Sequence, residues 1–263
     1  MAVTSGSTKV PGQVRSMARE PWVVKQSIYE ESSTPLSKVG TRLQLSDGRV
    51  FHYAKNGAVA LADGVLLQGA APAANHLNCA LTAAADVGDT KVEVTLGATA
   101  TTLNEYAEGF LSFNDVAPEG TYYKISSHLA ADASAAVWIN LYDPLWKAAT
   151  TSSEVTLTKN PYDGALIAPN GGFSQIPIGV ALIDVTIGYY FWCQTWGPCN
   201  VLAQGTIVIA QRVGLGGTAD GAVGPMALTE GTPNTGLGQP EVGYCMRVNA
   251  STEYALIFLR LAP

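Results

Sequence analysis

The sequence predicts an all-β protein, built from antiparallel β-sandwich or barrel domains that follow an extended N-terminal arm. Short runs in which apolar and polar residues alternate recur along most of the 263-residue chain, and a period of two is typical of half-buried strands. Turn residues, above all asparagine–glycine and aspartate–glycine pairs, separate these runs at fairly regular spacing. The C-terminal part adds apolar and aromatic runs of strand length, which suit a dry β core.

Residues 1–40 have the composition of an extended arm. Glycine, serine, proline and charged residues dominate, and Pro11, Pro21 and Pro35 are spaced so that a long helix is not expected. A segment of this kind cannot form a core of its own, so we expect it either to stay disordered or to lie on another surface. Trp22 is the natural anchor, because one aromatic side chain buries a large apolar area.

Charge is scarce in this chain and unevenly distributed. Charged residues make up 14% of the sequence, against about 25% in an average soluble domain. This favours a surface that becomes covered in an assembly over the alternative of a merely low-charge β protein. Residues 1–55 hold eight basic and four acidic side chains, a net charge of +4, and the total of −6 therefore leaves −10 for residues 56–263.

The basic arm predicts contact with an acidic surface on a partner, with solvated charge as the alternative. The predicted contact residues are Arg15, Arg19, Trp22 and Lys25. Nucleic acid is not an expected partner, because the basic residues are dispersed and never form a dense run.

Residues 41–84 predict a β meander followed by a connector. Two alternating runs flank Asp47-Gly48, where glycine supplies the positive φ that a tight hairpin turn needs. Asn56-Gly57 and Asp63-Gly64 predict two further turns, each leading into a short apolar run. Residues 70–84 are rich in alanine and leave open a connector or one short helix. We expect the meander to pack with the C-terminal domain.

Residues 85–168 predict a small β domain. Five runs of strand length follow one another with glycine and proline turns between them, as in a small antiparallel sandwich or barrel. These runs are residues 91–96, 108–114, 121–126, 136–141 and 154–158. The sequence leaves open whether this domain follows its neighbours in series or is inserted into a domain shared by residues 41–69 and 173–263, and we favour the insertion.

Residues 169–263 predict a C-terminal β domain with few groups that could do chemistry. Aromatic and aliphatic side chains fill runs at residues 188–197, 206–209 and 254–261. The cysteines of the chain are Cys79, Cys193, Cys199 and Cys245. We expect them to be reduced, buried apolar side chains. A Cys193–Cys199 bridge is the alternative, and the spacing does not match a structural zinc site.

Residues capable of catalysis are few. His52 lies on an alternating run and His128 ends another, and neither has an acidic or cysteine neighbour at ligand spacing. The chain has no Gly-x-Ser-x-Gly turn, and the glycine cluster at residues 213–219 lacks the lysine and third glycine of nucleotide-binding loops. The sequence therefore predicts no enzyme, no cofactor and no metal site.

Five aromatic residues of the 85–168 domain could stack on sugars if their rings were exposed. They are Tyr122, Tyr123, Trp138, Tyr142 and Trp146. Aromatic residues on strands more commonly belong to the core, and this is the interpretation that we favour.

No membrane partner is expected from the sequence. The first residues have neither the basic start nor the apolar core of a signal peptide. The apolar runs are of strand length, and none reaches the roughly 18 residues that predict a transmembrane helix.

Several segments together form one pattern. It consists of a strand with an aromatic-Gln-x-x-Gly turn, a small-residue loop with Asp-Gly, and a final apolar strand. They are residues 188–198, 201–205, 219–223, 243–248 and 255–261, together with the Asp-Gly-Arg-Val-Phe turn within residues 40–68. In this pattern about half of the chain resembles the head-decoration, or capsid cement, proteins of tailed bacteriophages. Residues 85–168 lie outside the resemblance.

The resemblance implies a β-rich virion structural protein that binds the outer capsid surface and reinforces the lattice. The implied partners are the major capsid protein and further copies of the chain in a homotrimer, and the implied location is the capsid surface after assembly in the host cytoplasm. No catalytic residue and no cofactor are implied. The main alternative is a tail-associated or receptor-binding β protein whose middle domain recognises host glycans, and a glycan-cleaving enzyme is a third hypothesis.

Overall fold

The chain forms an all-β structure, as the sequence predicts. A computed structural model describes residues 26–226 and 240–263. Within these residues the strands are β1 (Arg42–Gln44), β2 (Val50–Asn56), β3 (Leu66–Gln68), β4 (Cys79–Ala80), β5 (Lys91–Thr95), β6 (Phe110–Asp115), β7 (Tyr122–His128), β8 (Ala136–Leu141), β9 (Glu154–Thr158), β10 (Asp163–Ile167), β11 (Pro177–Ala181), β12 (Tyr190–Leu202), β13 (Arg212–Leu215), β14 (Val223–Pro225), β15 (Gly243–Arg247) and β16 (Tyr254–Arg260). The alanine-rich connector contributes a three-residue 3₁₀ helix at Ala74–His76.

Ten strands form one sheet that closes partly on itself. Their order is β1-β2-β10-β3-β11-β12-β16-β15-β13-β14, and β2 also pairs with β12. The strands β2, β10, β3, β11 and β12 therefore make a five-stranded barrel, in which the β2–β10 pair is parallel and the other pairs are antiparallel. One cluster of buried side chains draws on all five strands and forms the barrel core: Ala54, Leu61, Val65, Leu67, Ala165, Ile178, Ala181, Val185, Phe191 and Cys193.

Strand β12 is thirteen residues long and is shared between the barrel and the open part of the sheet. Its first half pairs with β2 and its second half, from Trp196 onward, pairs with β16. A bulge between Gln194 and Trp196 marks the change of partner. Here the Gln194 amide donates hydrogen bonds to the carbonyl oxygens of Trp196 (3.1 Å) and Pro198 (2.8 Å). Gly197 follows with a φ of +89°, a conformation that favours glycine.

Beyond the bulge, β12 continues into the open part of the sheet, β16-β15-β13-β14. This part encloses a second apolar core, which includes Cys199, Val201, Val213, Val223, Cys245, Ile257 and Leu259. All four cysteines of the chain are free and buried, as expected, and burial raises the pKa of the Cys199 thiol to about 12. The predicted alternative, a Cys193–Cys199 bridge, is therefore not formed.

The first described residues are clamped to the outside of the barrel through Gln26. Its side-chain oxygen accepts a hydrogen bond from the Tyr53 hydroxyl (2.6 Å), and its amide donates to the Tyr190 carbonyl oxygen (2.8 Å). The backbone oxygen of Gln26 accepts a third bond from the Trp192 indole N–H (3.1 Å). Ile28 packs against the same aromatic residues. The chain therefore joins the barrel at a well-defined point.

The predicted arm is described only in part. Residues 26–40 run along the barrel wall with one antiparallel bridge, between Ser32 and Tyr190. The four predicted contact residues, Arg15, Arg19, Trp22 and Lys25, lie outside the described residues.

The other six strands form a second barrel. Their order is β4-β9-β6-β7-β8-β5, and a bridge between Leu81 and Val94 joins the two edges. Next to this bridge the Thr82 N–H donates to the Glu93 carbonyl oxygen (3.0 Å). The core of this barrel is separate from the other cores and includes Tyr106, Leu111, Phe113, Ile125, Ile139, Leu145, Val155 and Leu157.

The second barrel occupies residues 79–158 and lies in the chain between β3 and β10. These two strands pair with each other in the ten-stranded sheet, with Leu166 opposite Gln68. The predicted boundaries at residues 84 and 168 do not coincide with the change of sheet: β4 already belongs to the second barrel, and β10 belongs to the first. Both strands are short, so the sequence pattern alone does not reveal their partners.

A polar junction connects the two barrels. The Asn160 amide donates to the carbonyl oxygens of Val39 (3.3 Å) and Glu108 (3.0 Å), so it links the described part of the arm to the second barrel. The Glu108 carboxylate forms ion pairs with Lys124 (2.7 Å) and Lys38 (3.2 Å). Burial alone would raise the pKa of Glu108, but the hydrogen bonds to the carboxylate, with that from Lys124 the largest, outweigh it and lower the pKa.

Replacing Gln26 with alanine is expected to lower the free energy of unfolding by about 1–3 kcal/mol, because the hydroxyl of the buried Tyr53 loses its acceptor and the half-buried Tyr190 carbonyl oxygen loses one of its two donors. Gln44→Ala is the matched control, since Gln44 is exposed and surface substitutions stay within about 0.5 kcal/mol. Urea unfolding followed by tryptophan fluorescence measures both. Equal stability of the two variants would show that the Gln26 clamp does not contribute to the fold.

Candidate functional site

The second barrel carries a shallow groove at one end of β7 and β8. We call it the Trp138 groove and define it by Leu103, Asn104, Ser127, Leu129, Trp138 and Asn140. Its volume is about 410 Å³. Three pieces of chain form it: the turn that follows Thr101, the end of β7 and the solvent face of β8.

The pairing of β7 with β8 places two polar side chains of the groove side by side. Ser127 lies opposite Asn140, and opposed residues of an antiparallel pair share one face. Regular alternation from the buried Ile125 would turn Ser127 inward. The bulge between Ile125 and Ser127 adds one residue and turns it outward. The Asn140 amide donates to the Ser127 hydroxyl (3.1 Å) and to its carbonyl oxygen (3.3 Å).

Trp138 and two leucines form the apolar surface of the groove. Trp138 points outward from β8, between the buried residues Val137 and Ile139, and remains 44% exposed. The Lys91 ammonium lies over the indole ring, 4.4 Å from its centroid, and this cation–π contact restrains the ring. Leu129, which directly follows β7, is 73% exposed, so it adds a second apolar side chain to the solvent-facing surface beside Trp138.

The turn that carries Leu103 and Asn104 is anchored by Glu105. The Glu105 carboxylate accepts a hydrogen bond from the Thr102 N–H (2.9 Å) and pairs with Lys159 (2.8 Å). Burial alone would raise the pKa of Glu105, but the hydrogen bonds from Lys159 and Thr102 outweigh it and lower the pKa to about 2. The carboxylate therefore stays ionised and holds the turn in place.

A buried cluster of His76, Tyr106 and His128 lies beneath the groove. His76 donates from Nε2 to the Thr99 carbonyl oxygen (2.9 Å) and accepts a hydrogen bond from the Tyr106 hydroxyl at Nδ1. His128 donates from Nδ1 to the Leu129 carbonyl oxygen (2.8 Å) and accepts at Nε2 from the Tyr106 N–H (2.9 Å). Every ring nitrogen has a partner, and burial lowers the pKa of His128. The cluster therefore supports the groove floor as a structural unit.

Three side chains of the groove keep hydrogen-bonding capacity that the described residues leave unused. The Asn140 side-chain oxygen accepts no hydrogen bond from them, and the Ser127 hydroxyl accepts from Asn140 but donates to none. The Asn104 side-chain oxygen accepts a hydrogen bond from the backbone N–H of His128 (3.0 Å), whereas the Asn104 side-chain amide donates to no described residue. The groove thus presents donors and acceptors to solvent next to an apolar surface.

The exposure of the aromatic residues differs from our favoured interpretation that they belong to the core. Four of the five are exposed: Tyr122, Trp138, Tyr142 and Trp146. Tyr123 is buried, because neighbours in a strand point to opposite faces and Tyr122 takes the outer one. Trp146 follows β8 and lies outside the Trp138 groove.

Comparisons of the chain with protein-family models, curated proteins and solved structures find no match. The resemblance to capsid decoration proteins therefore stays a prediction. In residues 26–226 and 240–263, no helix is long and apolar enough to cross a membrane. The same residues contain no group of three or more histidine, cysteine or acidic side chains placed to hold a metal ion.

The negative charge of the chain is concentrated in the second barrel. Residues 79–158 contain ten acidic and three basic side chains, a net charge of −7, while the rest of the chain has twelve basic and eleven acidic side chains, a net charge of +1. The net charge of the second barrel is thus much larger in magnitude than that of the rest of the chain.

The ten-stranded sheet has an exposed apolar surface near β15, which we call the Ile209 patch. It consists of Val208, Ile209, Met246 and Val248, all of them exposed. The Ala210 N–H donates to the Cys245 carbonyl oxygen (2.8 Å), so the loop that carries Ile209 lies directly against the strand that carries Met246. Exposed apolar clusters of this kind commonly mark interaction surfaces.

His52 is half-buried on β2 and has a structural setting. Its ring stacks on Tyr162 with centroids 4.7 Å apart, and Nδ1 lies 3.2 Å from the Thr195 hydroxyl oxygen. Burial, together with the positive charge of Arg42, lowers the pKa of His52 to about 4. The folded protein therefore keeps this imidazole neutral down to mildly acidic pH.

The free energy of unfolding is expected to fall as the pH decreases from about 6.5 towards 4. An unfolded chain protonates His52 near its ordinary pKa of about 6.5, whereas the folded chain does not protonate it until about pH 4. His128, whose pKa is also lowered, acts in the same direction. Urea unfolding at a series of pH values measures this decline, and His52→Gln should make it shallower. Identical slopes for the two proteins would contradict the assignment.

Proposed function

We propose that this chain is a virion structural protein that binds the outer capsid surface and reinforces the lattice as a decoration, or cement, protein. Its partners are the major capsid protein and further copies of itself in a homotrimer, and it acts without a cofactor or catalytic site. In this arrangement the ten-stranded sheet and the arm attach to the lattice, and the second barrel faces outward.

The observation that carries the proposal is the Ile209 patch. Val208, Ile209 and Met246 are 56%, 65% and 43% exposed, although burying such side chains is favourable by about 25 cal/mol per Å² of apolar surface. A partner surface that covers the patch gains this energy. Met246 and Val248 lie in one of the segments that resemble decoration proteins, residues 243–248.

The distribution of charge supports the same orientation. The second barrel carries −7 and the rest of the chain +1, so the second barrel is the part best suited to remain in water. The rest of the chain is nearly neutral, so electrostatic repulsion opposes its packing against a lattice less strongly. The predicted contact residues Arg15, Arg19 and Lys25 are among the basic side chains counted in that +1, and their charge suits contact with an acidic partner surface.

The Gln26 clamp supports a role for the arm in attachment. It fixes Gln26 against the barrel, so the segment that precedes it in the sequence, which holds the predicted contact residues, is attached to the barrel at a defined position. Binding to assembled subunits stabilises the lattice through linkage, and many copies held on one particle act together.

The alternative is a tail-associated or receptor-binding protein that recognises host glycans. The exposed rings of Tyr122, Trp138, Tyr142 and Trp146 favour it, because exposed aromatic side chains suit recognition surfaces. The two functions differ in the position of the chain on the particle.

A reconstruction of the intact particle by electron cryo-microscopy is expected to show many copies of the chain on the capsid, arranged with capsid symmetry. The second barrel should form the density furthest from the shell, because its net charge of −7 favours contact with water. A few copies at the tail tip would contradict the decoration function and favour the receptor-binding alternative.

Replacing Ile209 with aspartate is expected to reduce binding to undecorated capsids by at least about tenfold, because it places an unpaired carboxylate in an apolar contact. Val87→Asp is the matched control, since Val87 is equally exposed on the second barrel. Co-sedimentation with capsids measures both variants. Equal loss, or no loss, in the two variants would exclude the Ile209 patch from the interface.

Deletion of residues 1–25 tests the arm in the same assay. Weaker binding is expected, because the deletion removes Arg15, Arg19, Trp22 and Lys25 while leaving the Gln26 clamp in place. Unchanged binding would exclude the arm from attachment.

A further inference from the structure

We propose that the Trp138 groove binds a neutral oligosaccharide. This goes beyond attachment to a capsid, because the groove lies on the second barrel and the Ile209 patch on the ten-stranded sheet. The two surfaces are separate, so each can be tested without the other.

The apolar surface of the groove suits one face of a pyranose ring. Such a ring presents several C–H groups on one side, and an aromatic side chain buries them while its flat shape orients the sugar. Trp138 is 44% exposed although it is restrained by Lys91. Leu129 extends the apolar surface beside it, so a sugar stacked on the indole also meets an aliphatic neighbour.

The polar surface of the groove suits sugar hydroxyls. A hydroxyl both donates and accepts hydrogen bonds, and amide and hydroxyl side chains offer both roles without carrying charge. The unused groups are the Asn140 side-chain oxygen as acceptor, and the Ser127 hydroxyl and the Asn104 amide as donors. They lie along the groove that Trp138 borders. This mixture of one aromatic surface and neutral polar groups is the composition that an uncharged sugar requires.

The charge around the groove favours a neutral ligand over an acidic one. Lys91 is the basic residue that reaches the groove, and its ammonium is placed on the Trp138 ring. Glu93 lies opposite Trp138 on β5, and the barrel as a whole carries −7. An acidic polysaccharide would therefore be repelled.

The groove is held in shape before any ligand binds. Glu105 fixes the turn that carries Asn104, and the buried Tyr106 and His128 support the floor from below. Such preorganisation lowers the conformational entropy lost on binding. Its volume of about 410 Å³ lies at the lower end of the range for small-molecule sites. A short saccharide is thus the matching ligand, and many copies on one particle would raise a modest affinity by avidity.

Saturation-transfer NMR on the full chain tests the proposal with three neutral probes, maltoheptaose, cellohexaose and hexa-N-acetylchitohexaose, and one acidic probe, oligogalacturonate. We expect at least one neutral probe to bind at millimolar concentration and the acidic probe not to bind. Trp138→Ala should weaken binding by about tenfold, and Asn140→Ala should weaken it less, whereas Trp138→Phe should retain part of it. Trp146→Ala is the matched control, because it removes an exposed indole outside the groove.

Three outcomes would overturn the proposal: no binding of any neutral probe, binding of the acidic probe alone, or an equal loss in Trp138→Ala and Trp146→Ala. Circular dichroism of each variant separates loss of the site from loss of the fold. Co-sedimentation of Trp138→Ala with capsids should be unchanged. A failure of saccharide binding is therefore distinguishable from a failure of capsid attachment.

Discussion

The structure depends on one strand that serves two partners. β12 closes the first barrel against β2 and then, past the bulge at Gln194, carries β16 and the open part of the sheet. The bulge is stable because the Gln194 amide bonds the carbonyl oxygens of Trp196 and Pro198, and because Gly197 takes a positive φ. Without this local change of direction, one strand could not contribute to both the barrel core and the second apolar core.

Much of the fold follows from local signals that the sequence displays. The Asp47-Gly48 turn pairs β1 with β2 as predicted, and Gly48 has the expected positive φ of +89°. The five strands predicted in the 85–168 domain match β5 to β9 closely. The parallel β2–β10 pair and the β2–β12 pair that closes the first barrel could not be predicted, because these contacts join residues far apart in the chain. Alternation shows that a strand has two faces, but not which strand will lie beside it.

The candidate site was less accessible to sequence reasoning than the fold. The alternating pattern places Trp138 on a strand. A shift of one residue in that strand, however, moves a side chain from the core face to the solvent face. The bulge that turns Ser127 outward reverses the face that regular alternation predicts. The unused amide of Asn104 depends on the turn anchored by Glu105, and the unused oxygen of Asn140 depends on the pairing of β8 with the bulged β7, and tertiary contacts set both. The sequence could therefore suggest that aromatic side chains of this domain bind a ligand, but it could not establish which of their rings are exposed.

The placement of the second barrel between β3 and β10 would allow one chain to combine the proposed capsid attachment with the proposed saccharide binding. Because these strands pair with each other, the two ends of the inserted barrel leave the ten-stranded sheet side by side. An insertion of this kind leaves the pairing of its host strands intact. The junction formed by Asn160, Glu108 and Lys38 then adds contacts that restrain the barrel relative to the arm. Surface residues of the inserted barrel can therefore be substituted to suit a different ligand. The sheet that carries the Ile209 patch would keep its own core and its own contacts.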